Sequence, residues 1–182
     1  FFIKNSNKLK KSFLNQMSNK YSINFEATKN DLSKSSRKLS MPKVGIYKSW
    51  RANMDEGWTR WILEQYKFPL DTLHNNDIKK GDLSKYSAII LPSQSGNGIL
   101  HGHMPNTMPE EYTGGIGLSG TLALKKYVEN GGRIIALDAS SDFVINQFGL
   151  PLRNAVSSVP STSFFIPGSL VSLKVDDDPL TM

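Results

Sequence analysis

The sequence predicts an α/β fold, a parallel sheet covered by helices on both faces. Two observations predict it. Short apolar runs at residues 43–47, 88–91 and 133–137 read as strands buried on both sides. Segments of helical period at 55–66 and 119–130 alternate with them, and alternation of this kind calls for parallel strands joined by crossover helices.

The elements follow in order. Residues 1–4 are apolar-rich and read as a short strand. Residues 6–21 carry Leu9, Phe13, Leu14 and Met17 among lysines, the stripe of an amphipathic helix. Residues 23–25 read as a second strand. Residues 29–41 are rich in Ser and Lys and end at Pro42, a linker composition. The expected organisation is therefore a small α/β segment at 1–28, a linker at 29–41 and a larger domain at 42–182.

In that domain the first strand, 43–47, leads through a polar loop into the helix at 55–66. Asp55 and Glu56 stand in the first turn of that helix, where the partial positive charge of the N-terminus favours them. Arg60 stands four residues after Glu56 and four before Glu64, spacings suited to ion pairs. Trp58, Trp61 and Ile62 share a helical face, with packing into the core the expected role for at least two of them. Residues 70–73 and 88–91 are further strands, and 92–117 a long loop. The next helix, 119–130, is expected to be capped by Ser119 and stopped by Gly131 and Gly132. A buried strand at 133–137, a helix at 142–148 and two late strands within 163–175 complete the reading.

Charge and composition narrow the function. The net charge is +6, but residues 1–40 contain nine Lys/Arg against Glu26 and Asp31, so the rest of the chain is nearly neutral. Those lysines are scattered among Asn and Ser without interleaved aromatics, which argues for a solvated face and linker and against nucleic-acid binding. No run approaches the length of a membrane span. Cysteine is absent, which excludes disulfides, thiolate catalysis and cysteine-bound zinc. The chain opens at Phe1 without an initiator Met or a signal peptide, and it reads as a piece of a longer protein.

Candidate chemistry is sparse. His74, His101 and His103 lack the spacing of a zinc set. Ser140 and Ser141 follow a strand where a nucleophile elbow would stand, but the flanking glycines of Gly-x-Ser-x-Gly are missing, so a helix-capping role is favoured. Gly115-x-Gly117-x-x-Gly120 matches the dinucleotide fingerprint in letters, yet no strand directly precedes it and Glu110 and Glu111 fill its approach. In open α/β sheets the ligand crevice lies beyond the carboxyl ends of the strands. That rule selects Trp50, Asn53, Asp55 and Glu56 after the first strand; Thr113, Gly114 and Gly115 in the long loop, and Asp138 and Ser140 after the strand at 133–137, are the further candidate binding residues. A neutral or basic ligand, or a partner surface, suits the acids of the first loop.

Several strings are distinctive: Lys43-Val44-Gly45-Ile46-Tyr47-Lys48-Ser49-Trp50, Asn53-Met54-Asp55-Glu56-Gly57-Trp58-Thr59-Arg60-Trp61, Met108-Pro109-Glu110-Glu111-Tyr112-Thr113-Gly114-Gly115, and Phe148-Gly149-Leu150-Pro151-Leu152-Arg153-Asn154. From about Pro42 onward the chain resembles the C-terminal region of large bacterial zinc-carboxypeptidase-like proteins, a class I glutamine-amidotransferase-like domain of flavodoxin-like architecture. The resemblance implies a noncatalytic accessory domain whose parent holds zinc in a separate N-terminal peptidase domain. It further implies that domain as partner in cis, peptides as possible substrates, and export from the cell. Its amidotransferase relatives attack through an elbow cysteine paired with a histidine, and this chain has no cysteine. The competing reading is a freestanding hydrolase or small-molecule-binding protein of the same fold, using Ser140 or Ser141 or the loop around His101 and His103. A nucleotide-binding module through 115–120 is the third.

Overall fold

A computed structural model describes residues 3–4, 9–32, 34, 41–166, 168 and 172. The chain divides into two compact units, Phe1–Met41 and Pro42–Met182. In the first, α1 (Lys11–Tyr21) ends where Ser22 turns left-handed, and none of its residues is buried. Leu14 and Met17 of its stripe are half-covered. The strand expected at 23–25 does not form: those residues are exposed and, among the described residues, no neighbouring strand supplies hydrogen bonds. Ile3 and Lys4 are likewise outside any strand, while residues 1–2 lie outside the described residues.

The second unit is α/β with a flavodoxin-like sheet. Its strands are β1 (Val44–Tyr47), β2 (Leu70–Leu73), β3 (Ala88–Leu91) and β4 (Ile134–Ala136), all parallel in the order β2-β1-β3-β4. Val44 stands opposite both Leu70 and Ala88, and Leu91 opposite Ala136. The helices are α2 (Met54–Gln65), α3 (Asn75–Lys80), α4 (Gly96–His101), α5 (Gly117–Glu129) and α6 (Ala139–Phe148), with a 3-10 turn at Glu110–Tyr112.

Strand alternation splits the core in two. Tyr47, Leu73, Ile89 and Leu91 pack with Ile78, Leu83, Ile99, Ile116, Leu124, Tyr127 and Phe143, the inward residues of α3 to α6 and their connections. On the other face Val44, Ile46 and Ile90 meet, among the described residues, Leu63, Leu70 and Leu137. That second face is thin. Ile135, expected to be buried, is 46% exposed because β4 is an edge strand with little over it on the α2 side.

Four further expectations change. The loop at 92–117 contains α4, whose start is capped by Ser95 Oγ accepting from Gly98 N at 3.1 Å and whose Ile99 anchors in the core. Helix α3 was not foreseen; Asp77 Oδ2 accepts from His74 N at 2.9 Å and fixes its first turn. Helix α5 begins at Gly117 rather than Ser119, since buried Ile116 already accepts from Gly120 N through its carbonyl at 3.0 Å. Most of the late strands at 163–175 fall outside the described residues, and 163–166 form a turn and irregular chain.

A fifth change concerns α2. Trp58, Trp61 and Ile62 are 63%, 51% and 48% exposed, so none of them joins the core. The side of α2 against the sheet is made instead by Glu56 and Leu63. Met54 and Tyr66 extend the outward apolar stripe, and Trp58 and Trp61 meet edge to face at 6.0 Å.

Candidate functional site

Two clusters form at the carboxyl end of the sheet. The first is built around the turn from β4 into α6. Asp138 there has φ 46 and ψ −120, a region that a side chain enters only at a cost. This is the sharp strand-to-helix turn that exposes a nucleophile where a fold uses one. Ser93 Oγ, in the loop after β3, donates to Asp138 Oδ2 at 2.7 Å. Asn53 joins the same group from the loop after β1: its Nδ2 donates to Ser93 O at 3.0 Å, while its Oδ1 accepts from Asp55 N and Glu56 N and caps α2. One side chain thus ties the β1 loop to the β3 loop and sets the start of a helix.

Ser140 faces inward. It is 0% exposed, its Oγ donates to Pro92 O, and it accepts from Gln94 N at 3.2 Å. Ser141 Oγ donates back to Ala136 O at 3.3 Å. Both hydroxyls therefore hold the elbow to the sheet. Gln94 Nε2 is buried without a hydrogen-bond partner among the described residues.

The second cluster is aromatic and lies toward β2. The rings of Trp50 and His74 stack with centroids 3.9 Å apart and planes 6° apart, and Tyr112 meets Trp50 edge-on at 4.9 Å. His74 Nδ1 donates to Lys48 O at 2.9 Å, and His103 Nε2 donates to Trp50 O at 3.3 Å. Buried Asn75 links the layers: it accepts from Tyr47 OH at 2.7 Å and donates to Gly114 O at 2.9 Å. Burial raises the Tyr47 hydroxyl far above its ordinary range, so it stays a neutral donor. Hydrogen bonding to Glu111 raises Tyr112 as well.

The candidate residues are therefore distributed unevenly. Asn53 and Asp138 come together through Ser93, and Trp50 meets the Gly114 strand through His103, whose O accepts from Gly114 N at 2.8 Å. Asp55 is exposed at the start of α2. Glu56 is buried in the service of α2, with Arg60 Nε at 2.9 Å and Lys48 Nζ at 3.9 Å; the hydrogen bonds of Arg60 to Glu56 and then to Glu64 raise the guanidinium further. Thr113 Oγ1 donates to Glu110 O, closing the 3-10 turn. Gly115 is a packing glycine: a Cβ there would lie 2.2 Å from Ile99 O, and no strand runs into it as a dinucleotide site needs. Ser93, Asn75 and Tyr112 escaped the sequence reading as site residues, and His74 was weighed there only as a metal ligand. Ser93 alone carried a signal, since it directly follows the Leu91-Pro92 strand end.

Chemically, the elbow offers one exposed carboxylate. Each crevice histidine commits one ring nitrogen to a backbone carbonyl, and among the described residues neither makes a hydrogen bond to Asp138 or Ser140. Among the described residues no three His, Asp or Glu side chains gather to hold a metal, and no helix is long and apolar enough to cross a membrane. Two cavities stand out among the described residues. One of about 410 Å³ sits between the C-terminal turns of α3 and α5, where Lys80 and Lys126 complement the negative ends of those helices. The other, about 310 Å³, lies between α4 and α6. No protein-family model, curated protein or solved structure matches this chain.

Proposed function

We propose that this chain is a noncatalytic accessory domain, an amidotransferase-like fold working by contact within a zinc-carboxypeptidase-like protein. The observation that carries the contact reading is the outward face of α2. Met54, Trp58, Trp61, Ile62 and Tyr66 are all exposed on it, a concentration of large apolar groups that in soluble proteins marks an interaction surface. The peptidase domain of the parent is the partner this reading expects, and zinc belongs to that domain. The elbow supports the same reading from the other side. Its exposed position is held by a carboxylate bonded to Ser93, and its serines are bonded to backbone carbonyls.

The test is turnover by the purified chain, supplied with zinc, on free glutamine, an activated ester and C-terminal residues of peptides. The expected rates equal those of buffer alone. A rate abolished by Ser141→Ala or Asp138→Asn overturns the proposal. A second reading, a small-molecule-binding protein of the same fold, is favoured by one observation: the cost of holding Asp138 at positive φ is the kind of strain that clusters at ligand sites.

A further inference from the structure

The cavity between α4 and α6 has a composition unlike its surroundings. Its floor is Leu100 and Phe143, and its rim carries the carboxamides of Asn97, Asn146 and Gln147 with the carboxylate of Asp142. The two helices meet at the floor, where a Cβ on Gly96 would make an ordinary contact with Phe143 Cβ at 3.5 Å. No lysine or arginine lines it. Asp142 accepts from Asn154 Nδ2 at 3.1 Å through Oδ2, and no cation pairs with it among the described residues; Arg153, beside Asn154, makes no ion pair with it. Asp138 stands four residues earlier, at the elbow just before α6, exposed, and adds to the negative field.

We propose that this cavity captures the side chain of an arginine presented by a partner polypeptide. An arginine has an aliphatic stem that can lie on Leu100 and Phe143 while its charged end stays at the polar rim. Its planar guanidinium offers five donors, which a carboxylate and surrounding carboxamide oxygens accept in one plane. A lysine ammonium is a compact, strongly hydrated charge and uses that arrangement less fully. The volume, about 310 Å³, lies at the small end of ligand cavities and suits one side chain rather than a cofactor. The inference is independent of the amidotransferase likeness, because it concerns only what α4 and α6 enclose.

The experiment is a titration of the isotope-labelled chain with N-acetyl-arginine-N-methylamide, followed by the amide resonances of Asn97, Asn146 and Gln147. Saturable shifts confined to this cavity are expected. The citrulline analogue, equal in shape and uncharged, should bind at least about tenfold more weakly, since charge-assisted hydrogen bonds are roughly twice as strong as neutral ones. Asp142→Asn should erase that difference. Asn146→Ala changes an exposed side chain and should weaken binding several-fold with the spectrum otherwise retained, so misfolding of the first variant does not end the test. Absence of saturable shifts, equal binding of the citrulline analogue, or undiminished discrimination in both variants overturns the proposal. The readout is binding to the chain itself, so turnover in the assay above would leave it standing.

Discussion

At the scale of single residues the most informative position is Asp138. A non-glycine residue at φ 46 and ψ −120 costs of the order of 1–3 kcal/mol. Within regular structure glycine is the weaker residue, so the usual order of Ala and Gly should invert here. Asp138→Gly is expected to be more stable than Asp138→Ala by about 1 kcal/mol or more, because both lose the Ser93 bond and only alanine keeps the strain. Urea unfolding of the two variants checks it, and an alanine variant at least as stable as the glycine variant would contradict the elbow geometry. The place of the elbow was legible, since a buried apolar run followed by Asp-Ala-Ser-Ser marks a strand entering a helix. The bonding of its residues was not. Ser93 lies 45 residues away in sequence, and no local pattern announces a contact across a sheet. The inward turn of Ser140 has the same cause, because its partners Pro92 and Gln94 come from another strand's loop.

Among elements, α2 carries the main lesson. Its apolar spacing and its acids at the first turn were readable, as was the Glu56–Arg60–Glu64 ladder. The direction of the stripe was not. Periodicity says which residues share a face, and only the neighbouring elements decide whether that face turns inward. Here the sheet side is taken by Glu56 and Leu63, with the Glu56 carboxylate neutralised by Arg60 and Lys48. The tryptophans are left outward. Trp58→Gln should therefore change the stability of the chain by no more than about 0.5 kcal/mol, as for other surface substitutions. A core tryptophan truncated in the same way would cost about 3–5 kcal/mol. A thermal or urea midpoint separates these outcomes, and a loss of the larger size would mean that the stripe is buried. Short helices were the least legible elements: α3 and α4 have six residues each, too few for a periodic signal, and both are fixed by capping contacts and by one buried isoleucine.

For the molecule as a whole, the parallel sheet was readable because three of its strands are continuous apolar runs, and the strand order follows from which neighbours share register. What composition could not show is the asymmetry of the two faces among the described residues, one thick with α3 to α6 and one thin beneath α2. The sheet edge near β2 is clamped at Asp71, which takes Lys43 Nζ at 2.9 Å and Tyr86 OH at 2.9 Å, linking the chain before β1 and β3 to β2. The hydrogen bond from Lys43, followed by that from Tyr86, holds the Asp71 carboxyl below its ordinary value of 3.8. Burial, then the hydrogen bond to Asp71, raises Tyr86. A carboxyl lowered in the folded state contributes stability that is present above its unfolded value and lost as pH falls through the folded one. Asp71→Asn should therefore be less stable than the parent chain near neutral pH, with the gap closing as pH drops below 3.8. Urea midpoints at about pH 7 and about pH 3 test it, and a gap that stays constant would remove the clamp.

The absence of a free attacking group is the claim on which the contact reading stands. Its most direct measurement is the intact mass of the chain, taken during the turnover assay with the activated ester. The account predicts an unchanged mass at every time point and hydrolysis no faster than in buffer, because Ser140 and Ser141 are bonded to the backbone and Asp138 to Ser93. An acyl adduct mapped to any of these three side chains, forming and decaying at the rate of product release, would contradict it.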